Sequence, residues 1–264
     1  MCNEEHRQLC EDLTQYLRAH RISLLDAHVV DRVGPGGRWH CLDGCGSGGT
    51  VDDPASSPVT MAAVLDGRRL YDSRADLEAV IAVPDEDAGG HDVARAIDRL
   101  TAGGTPGRTE DPAAAVRQAI AAAQRVGAGG VLTAPEMAAV GHALTDLTVR
   151  DTLYGLAVGD MAGAAECLWA SLSRVLPEPW RVEALTLLGF FAYARGDGPL
   201  AGVSLEAALR IDPVHRMARM LDTALQSGMR PERIRQLAMT GYRLADRIGV
   251  ELPPRRSGDR DRKS

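Results

Sequence analysis

The side chains most able to do chemistry sit in one heptapeptide, Trp39-His40-Cys41-Leu42-Asp43-Gly44-Cys45. His40, Cys41 and Cys45 are suitable types for three zinc ligands, since thiolate and imidazole both suit that ion. Their spacing argues the other way. C-x3-C matches structural zinc sites poorly, and no second Cys/His pair lies at finger-like distance; His91 or Cys10 would have to complete the set from afar. On a strand, His40 and Cys41 also point to opposite faces. Nucleophilic use of Cys41 needs a base against the thiol, and His28, His40 and His142 qualify only by arithmetic. Packing as a small hydrophobe is the default for a cysteine. The expectation is therefore no catalytic, cofactor-binding or metal-ligating residue and no cofactor. An enzyme or metal-binding domain using the His40–Cys45 region is the alternative.

Gly44-Cys45-Gly46-Ser47-Gly48-Gly49 formally matches G-x-G-x-x-G. That motif implies dinucleotide binding only where it follows a strand and opens a helix. Here Thr50-Val51-Asp52-Asp53-Pro54 follows, which no helix would begin with so soon, and no Walker lysine is present. The segment reads as a flexible loop. Asp52 and Asp53, adjacent beside Pro54, read as turn formers and not as an acid/base pair.

The rest of the chain restricts what these groups could serve. Its 264 residues suffice for one large domain or two ordinary ones, and 45% hydrophobic with 25% charged residues is a globular composition. Aromatics make up only 4%, so the core must be aliphatic. A formal charge of -6 argues against nucleic acid, which needs a basic footprint. The tail Arg255, Arg256, Arg260, Arg262, Lys263 is basic but diluted by Asp259 and Asp261, and reads as a solvated disordered end. Lys263 is the single lysine among 30 Lys and Arg, a skew expected of a GC-rich genome. No apolar run follows a basic stretch near the start, as a secretory signal would require. The longest strongly apolar run, Leu185–Ala194, is half a membrane span. Five cysteines, an odd number, suggest reduced thiols and a cytoplasmic setting.

The elements that must position these residues fall into two kinds. Residues 4–20 pattern as an amphipathic helix with Leu9, Leu13, Tyr16 and Leu17 on one face. Leu24–Val33, the turn Gly34–Gly37 and Arg38–Leu42 form a plausible hairpin, followed by a turn-rich loop over 43–58. Ser57-Pro58, Ser73-Arg74-Ala75-Asp76, Asp111-Pro112 and Thr133-Ala134-Pro135-Glu136 are helix starts, the second running to about Val83. Helices then follow at roughly 135–147, 148–157, 161–175, 179–195, 198–210, 214–227 and 231–246. The reading is α+β: a small mixed α/β part over 1–109, an all-α helical-hairpin array over 110–247, and a disordered tail over 248–264.

Within that array the spacing L-x2-L-G-x2-A-x8-A-x3-L-x2-A-x4-P stands out, with Leu185, Leu188, Gly189, Ala192, Ala201, Leu205, Ala208 and Pro213 at its positions. This is the tetratricopeptide pattern, with Ala192 replacing the usual tyrosine. Ala165-x3-Trp169-x2-Leu172-x4-Pro177 repeats its second half upstream, and a capping helix pair follows. In such repeats certain first-helix positions face a concave groove. The resemblance maps them onto Glu183, Thr186, Phe190, Tyr193 and Ala194, and the two aromatics are natural contact residues. Phe190 and Tyr193 could equally pack on the helix at 161–175.

Two stretches resemble the actinobacterial domain of unknown function family 4192. One runs through Leu24-Leu25-Asp26-Ala27, Gly37-Arg38-Trp39-His40-Cys41-Leu42-Asp43 and Asp53-Pro54-Ala55-Ser56-Ser57 to Ser73-Arg74-x-x-Leu77; the other is Val149 through Asp212-Pro213. The resemblance implies a cytoplasmic protein with an α/β front half, a helical back half and no established activity. Family members begin with further apolar strands that have no counterpart here, which implies a sheet with an exposed edge. The functional expectation is a non-catalytic interaction module. A protein or peptide partner, or a second copy, would dock against Glu183, Thr186, Phe190 and Tyr193, with no nucleic acid and no membrane involved.

Overall fold

Short side-chain oxygens set where several of the helices of this chain begin, each satisfying a backbone N–H that the first turn leaves without a partner. The computed structural model describes residues 4–42, 45–65, 71, 73–84, 89–102 and 108–255 and divides after Leu70 into two units.

The first unit holds α1 (Glu4–Ala19), β1 (His28–Val30), β2 (Arg38–Cys41), β3 (Gly48–Thr50), a 3-10 turn (Pro54–Ser56) and α2 (Pro58–Leu65). The strands form one antiparallel sheet in the order β1-β2-β3, with Val29 opposite His40 and Trp39 opposite Gly49. The expected hairpin is present, and its turn closes through Gly37 N–H donating to Gly34 O at 3.0 Å. β3 corrects the reading of 43–58 as loop. Its Gly48-Gly49-Thr50 carries no alternating apolar pattern, yet glycine is needed there: a Cβ on Gly49 would lie 2.9 Å from the Trp39 indole Nε1. Asp53 caps the 3-10 turn by accepting from Ala55 N–H at 2.9 Å, and Ser57 Oγ accepts from Thr60 N–H at 3.1 Å to open α2. α1 forms as expected, but no residue in it is buried, and Leu9, Leu13 and Tyr16 are exposed.

The second unit is entirely helical apart from turns: α3 (Arg74–Ala79), α4 (Gly90–Thr101), α5 (Pro112–Gly127), α6 (Ala134–Ala143), α7 (Leu147–Leu153) with a 3-10 extension (Tyr154–Val158), α8 (Ala162–Val175), α9 (Arg181–Arg195), α10 (Gly198–Ile211), α11 (Arg216–Gln226) and α12 (Pro231–Ile248). This division by contacts falls after Leu70, and the boundary expected from composition lies at 109. α4 buries Val93, Ala96 and Ile97 and packs on α6, and Arg181 donates to Ile81 O at 2.6 Å. These long-range contacts tie residues 71–102 to the helical body. α3 ends at Ala79, short of the expected Val83.

α9 is the centre of the unit. Every residue from Ala184 to Ala194 is buried. α8 and α10 flank it, and the two-residue turn Gly196-Asp197 joins it to α10, with Gly196 left-handed at φ 89° and Asp197 accepting from Leu200 N–H. α9 and α10 meet closely at Gly189, where a Cβ would lie 2.8 Å from Leu205 Cγ. The segment after α12 also departs from expectation. Val250 and Leu252 are buried, Tyr242 donates to Pro253 O at 2.9 Å, and Asp160 N–H donates to Pro254 O at 3.2 Å. Residues 248–255 are therefore anchored and not disordered; Arg256, Arg260, Arg262 and Lys263 lie outside the described residues. No helix among the described residues is long and apolar enough to cross a membrane.

Two measurements check this packing. Gly189→Ala should cost about 1–3 kcal/mol in urea unfolding, because the added methyl has no room. Gly202→Ala, whose Cβ would make an ordinary 3.6 Å contact with Leu225, should instead stabilise by about 0.5–1 kcal/mol. The Thr133–Glu136 capping box carries a pH signature. The Thr133 backbone N–H, then Arg125, hold the Glu136 carboxyl at about 2, below its ordinary 4.5. A depressed folded-state value gives stability that is present above 4.5 and lost as pH falls toward 2. The melting-temperature difference between wild type and Glu136→Gln should therefore be present at about pH 6 and vanish near pH 2, because that difference follows ionisation of the carboxylate.

Candidate functional site

The face of α9 expected to line a groove carries four nominated side chains, and each has a partner inside the protein. Glu183 accepts from Arg150 Nη1 at 3.2 and 3.3 Å, and Arg150 also forks onto Asp151 at 2.9 and 3.0 Å. His215 caps α11: its Nδ1 accepts from Ala218 N–H at 3.2 Å, which leaves the proton on Nε2 to donate to Glu183 Oε1 at 3.3 Å. The Thr186 hydroxyl donates to Val182 O at 2.8 Å and lies 3.5 Å from His215 Nδ1. Phe190 is fully buried, its ring 4.4 Å from that of Tyr154. The Tyr193 hydroxyl donates to Met229 O at 2.7 Å. Arg235 of α12 donates to Ala194 O at 2.7 Å. The open groove expected at Glu183, Thr186, Phe190 and Tyr193 is thus filled by the chain's own α7, α11 and α12.

The electrostatics of this interior cluster suit burial. Desolvation works against the Arg150 cation, but the charges of Glu183 and Asp151 outweigh it and raise its affinity for the proton. Burial pushes the Tyr154 phenol far up, with Arg150 opposing, so it stays protonated. The Tyr154 hydroxyl finds no hydrogen-bond partner among the described residues.

An open apolar surface lies one layer further out. α11 packs on α10 and α9, while α12 packs on α7, its 3-10 extension and α9. α12 sits so close to that extension that a Cβ on Gly241 would fall 2.5 Å from Gly155 N. The two helices thus diverge from the linker between them, where Gly228 is left-handed at φ 70°. A groove of about 640 Å³ opens between them, floored by Val214, Met220, Leu221, Met229, Ile234 and Leu237. Arg216, Arg219 and Arg233 rim it. None of these three arginines makes an ion pair among the described residues, and Arg233 bonds only the neutral Gln236 at 3.3 Å.

A family model for a domain of unknown function (DUF4192) matches residues 1–232. The chain belongs to this family. No curated protein and no solved structure matches it. The DUF4192 match takes in the sheet and the helices through α11 but stops at the start of α12, so the helix that covers α9 and forms one groove wall lies almost wholly outside it.

In the DUF4192 chain the described residues of the amino-terminal motifs lie on β2, on β3 and between the two strands. β2 sends His40 and Cys41 to opposite faces, and no group of three or more His, Cys, Asp or Glu side chains among the described residues could hold a metal ion. Gly48 and Gly49 of the G-x-G-x-x-G string pair in β3 instead of opening a helix; Gly44 lies outside the described residues. The groove residues Arg219, Met220 and Arg233 were not nominated from sequence. Their signal was present, since Met220 and Arg219 sit off the apolar face of α11 formed by Met217, Leu221 and Ala224, but the divergence of two helices is not written in either one. Two alanine variants separate core from surface. Phe190→Ala should cost about 3–5 kcal/mol in denaturant unfolding, as for a filled core position, whereas Met220→Ala should stay within about 0.5 kcal/mol.

Proposed function

We propose that the helical unit is a non-catalytic interaction module whose α11–α12 groove receives an acidic amphipathic helix of a partner protein. The observation that carries this reading is the groove itself, an apolar floor rimmed by three arginines without ion-pair partners among the described residues. Amphipathic helices dock by laying residues at i, i+3, i+4 and i+7 into such a groove. Met220 and Met229 supply flexible, polarisable surface of the kind that adapts to helical ligands. The arginine rim selects the sign of the partner, since opposite charges steer encounter and like charges suppress it. The α9–α10 hairpin, with Gly189 against Leu205, supports a tetratricopeptide-like scaffold beneath the groove, although its own concave face is occupied by the chain.

Two synthetic helical peptides with one apolar face, flanked either by glutamates or by lysines, test the reading by fluorescence anisotropy. The acidic peptide should bind with Kd of about 1–100 μM, or roughly -5.5 to -8 kcal/mol, and weaken as salt rises. Arg219→Glu combined with Arg233→Glu should weaken it at least about tenfold, or 1.4 kcal/mol, and favour the lysine peptide. Equal binding of both peptides, or binding of neither, rejects the proposal.

A further inference from the structure

Among the described residues of the first unit only Gly37 is buried, and no apolar core forms among them. α1 buries none of its 16 residues, yet it is amphipathic. Leu9, Leu13 and Tyr16 in the helix and His20 just after it recur at steps of four, three and four, with Leu17 alongside. That alternation is the seam of two paired helices. Leu9, Leu13 and Tyr16 are 66%, 45% and 64% exposed, and the Tyr16 and His20 rings sit 4.4 Å apart along the same stripe. A helix of this length is marginal in water unless something packs on its apolar face. The charges beside the seam are sorted by sign. Glu4, Glu5, Glu11 and Asp12 stand in the first half with the single cation Arg7, whereas Arg18 and Arg21 follow with no acid among them. Glu4 and Glu5 suit the positive end of the helix dipole, but Glu11 and Asp12 lie about two turns further in, beyond its reach. Glu11, Asp12 and Arg18 form no ion pair among the described residues, and Asp12 accepts only from the neutral Gln8 at 3.0 Å.

We propose that α1 is a self-association helix that pairs antiparallel with α1 of a second copy of this chain. A two-fold axis between Leu13 and Tyr16 sets Leu13 of one copy against Tyr16 of the other, and Leu9 against His20. The same register lays Glu11 and Asp12 of one copy beside Arg18 of the other. It does so twice, because a two-fold contact repeats every interaction. Parallel pairing would align acid with acid and base with base, and like charges across an interface suppress association. The helix is thus complementary to itself in one direction, which selects a second copy as the occupant of its apolar face. Four seam side chains from each copy make a small contact, so the association is reversible, with Kd of about 10–100 μM. This pairing uses the first unit alone and is independent of the α11–α12 groove.

Sedimentation velocity of the full chain over about 1–300 μM decides the matter. The mass should rise with concentration from the 28.1 kDa of one chain toward twice that value. Leu13→Asp should hold the chain monomeric with an unchanged circular-dichroism spectrum, since this side chain packs on nothing that the single chain buries. Arg18→Glu should weaken association about tenfold, and so should Glu11→Arg combined with Asp12→Arg, because each sets like charges together. Mixing these two charge variants should restore association, because every flanking contact then joins opposite charges. All three charged positions are exposed, so the changes are read in folded protein. A chain that stays monomeric throughout, a dimer that survives Leu13→Asp, or charge variants that associate as wild type overturns the proposal.

Discussion

A helix that is apolar on every side persists in water only when neighbours cover all of it, and α9 imposes that requirement on the whole second unit. Its buried run, Ala184 to Ala194, has no polar stripe to turn outward. α8 and α10 cover two sides, with Gly189 giving Leu205 the room it needs. The remaining side is covered by the 3-10 extension that follows α7, by α12 and by α11. A two-helix repeat alone would leave that side open as a concave binding face. This chain closes it, and the closure explains both the position of α12 and the anchoring of Val250 and Leu252 after it.

Closing that side obliges the polar groups of α9 to find partners indoors. Glu183 would be a costly buried anion by itself, since breaking a buried pair typically costs about 3–5 kcal/mol. Arg150 and His215 reach it from α7 and from the cap of α11. The same logic recurs at the other end of the helix, where Arg195 meets Glu166 of α8 and Asp197 of the turn. Such pairs add little net stability compared with apolar packing, but their geometry admits one arrangement of α7, α8, α9 and α11. They stand in a core otherwise built of Leu, Ala and Val around a few aromatics such as Trp169, Phe190 and Phe191. Not every group is satisfied: Trp169 Nε1 and Ser204 Oγ are buried without partners among the described residues, each a penalty of about 1–3 kcal/mol.

What the sequence made legible follows from the range of each interaction. Ser57, Ser73, Asp111 and Thr133 were readable as helix starts because a cap acts within three residues. The α9–α10 hairpin was readable because glycine at a close approach and aspartate at a turn are local necessities. β3 was missed because its strand identity comes from pairing with β2 and from the space Trp39 needs, not from its own residues. The boundary read near 109 rests on glycine- and proline-rich composition, which marks a loop, whereas contacts such as Arg181 with Ile81, a hundred positions apart, are not written in composition. On α9, Phe190 and Tyr193 have the chemistry of contact residues, and only the fold shows Phe190 against Tyr154 and the Tyr193 hydroxyl on Met229 O.

The surface left for other molecules is therefore set by the helices that do the covering. α11 buries Ala218, Leu221 and Ala224 against the hairpin, and α12 buries Ile234, Ala238, Gly241 and Ala245 against α7 and its extension. Both helices turn an apolar stripe inward to α9, but α11 continues onto α10 and α12 onto α7 and its extension, so their flanks splay apart. Along that splay Met220 and Met229 are exposed and Leu237 is only partly covered, and arginines occupy the edges. A helical unit that covers its own central helix on every side thus leaves its exposed apolar surface at the seam between its last two helices, and arginines set the charge along that seam.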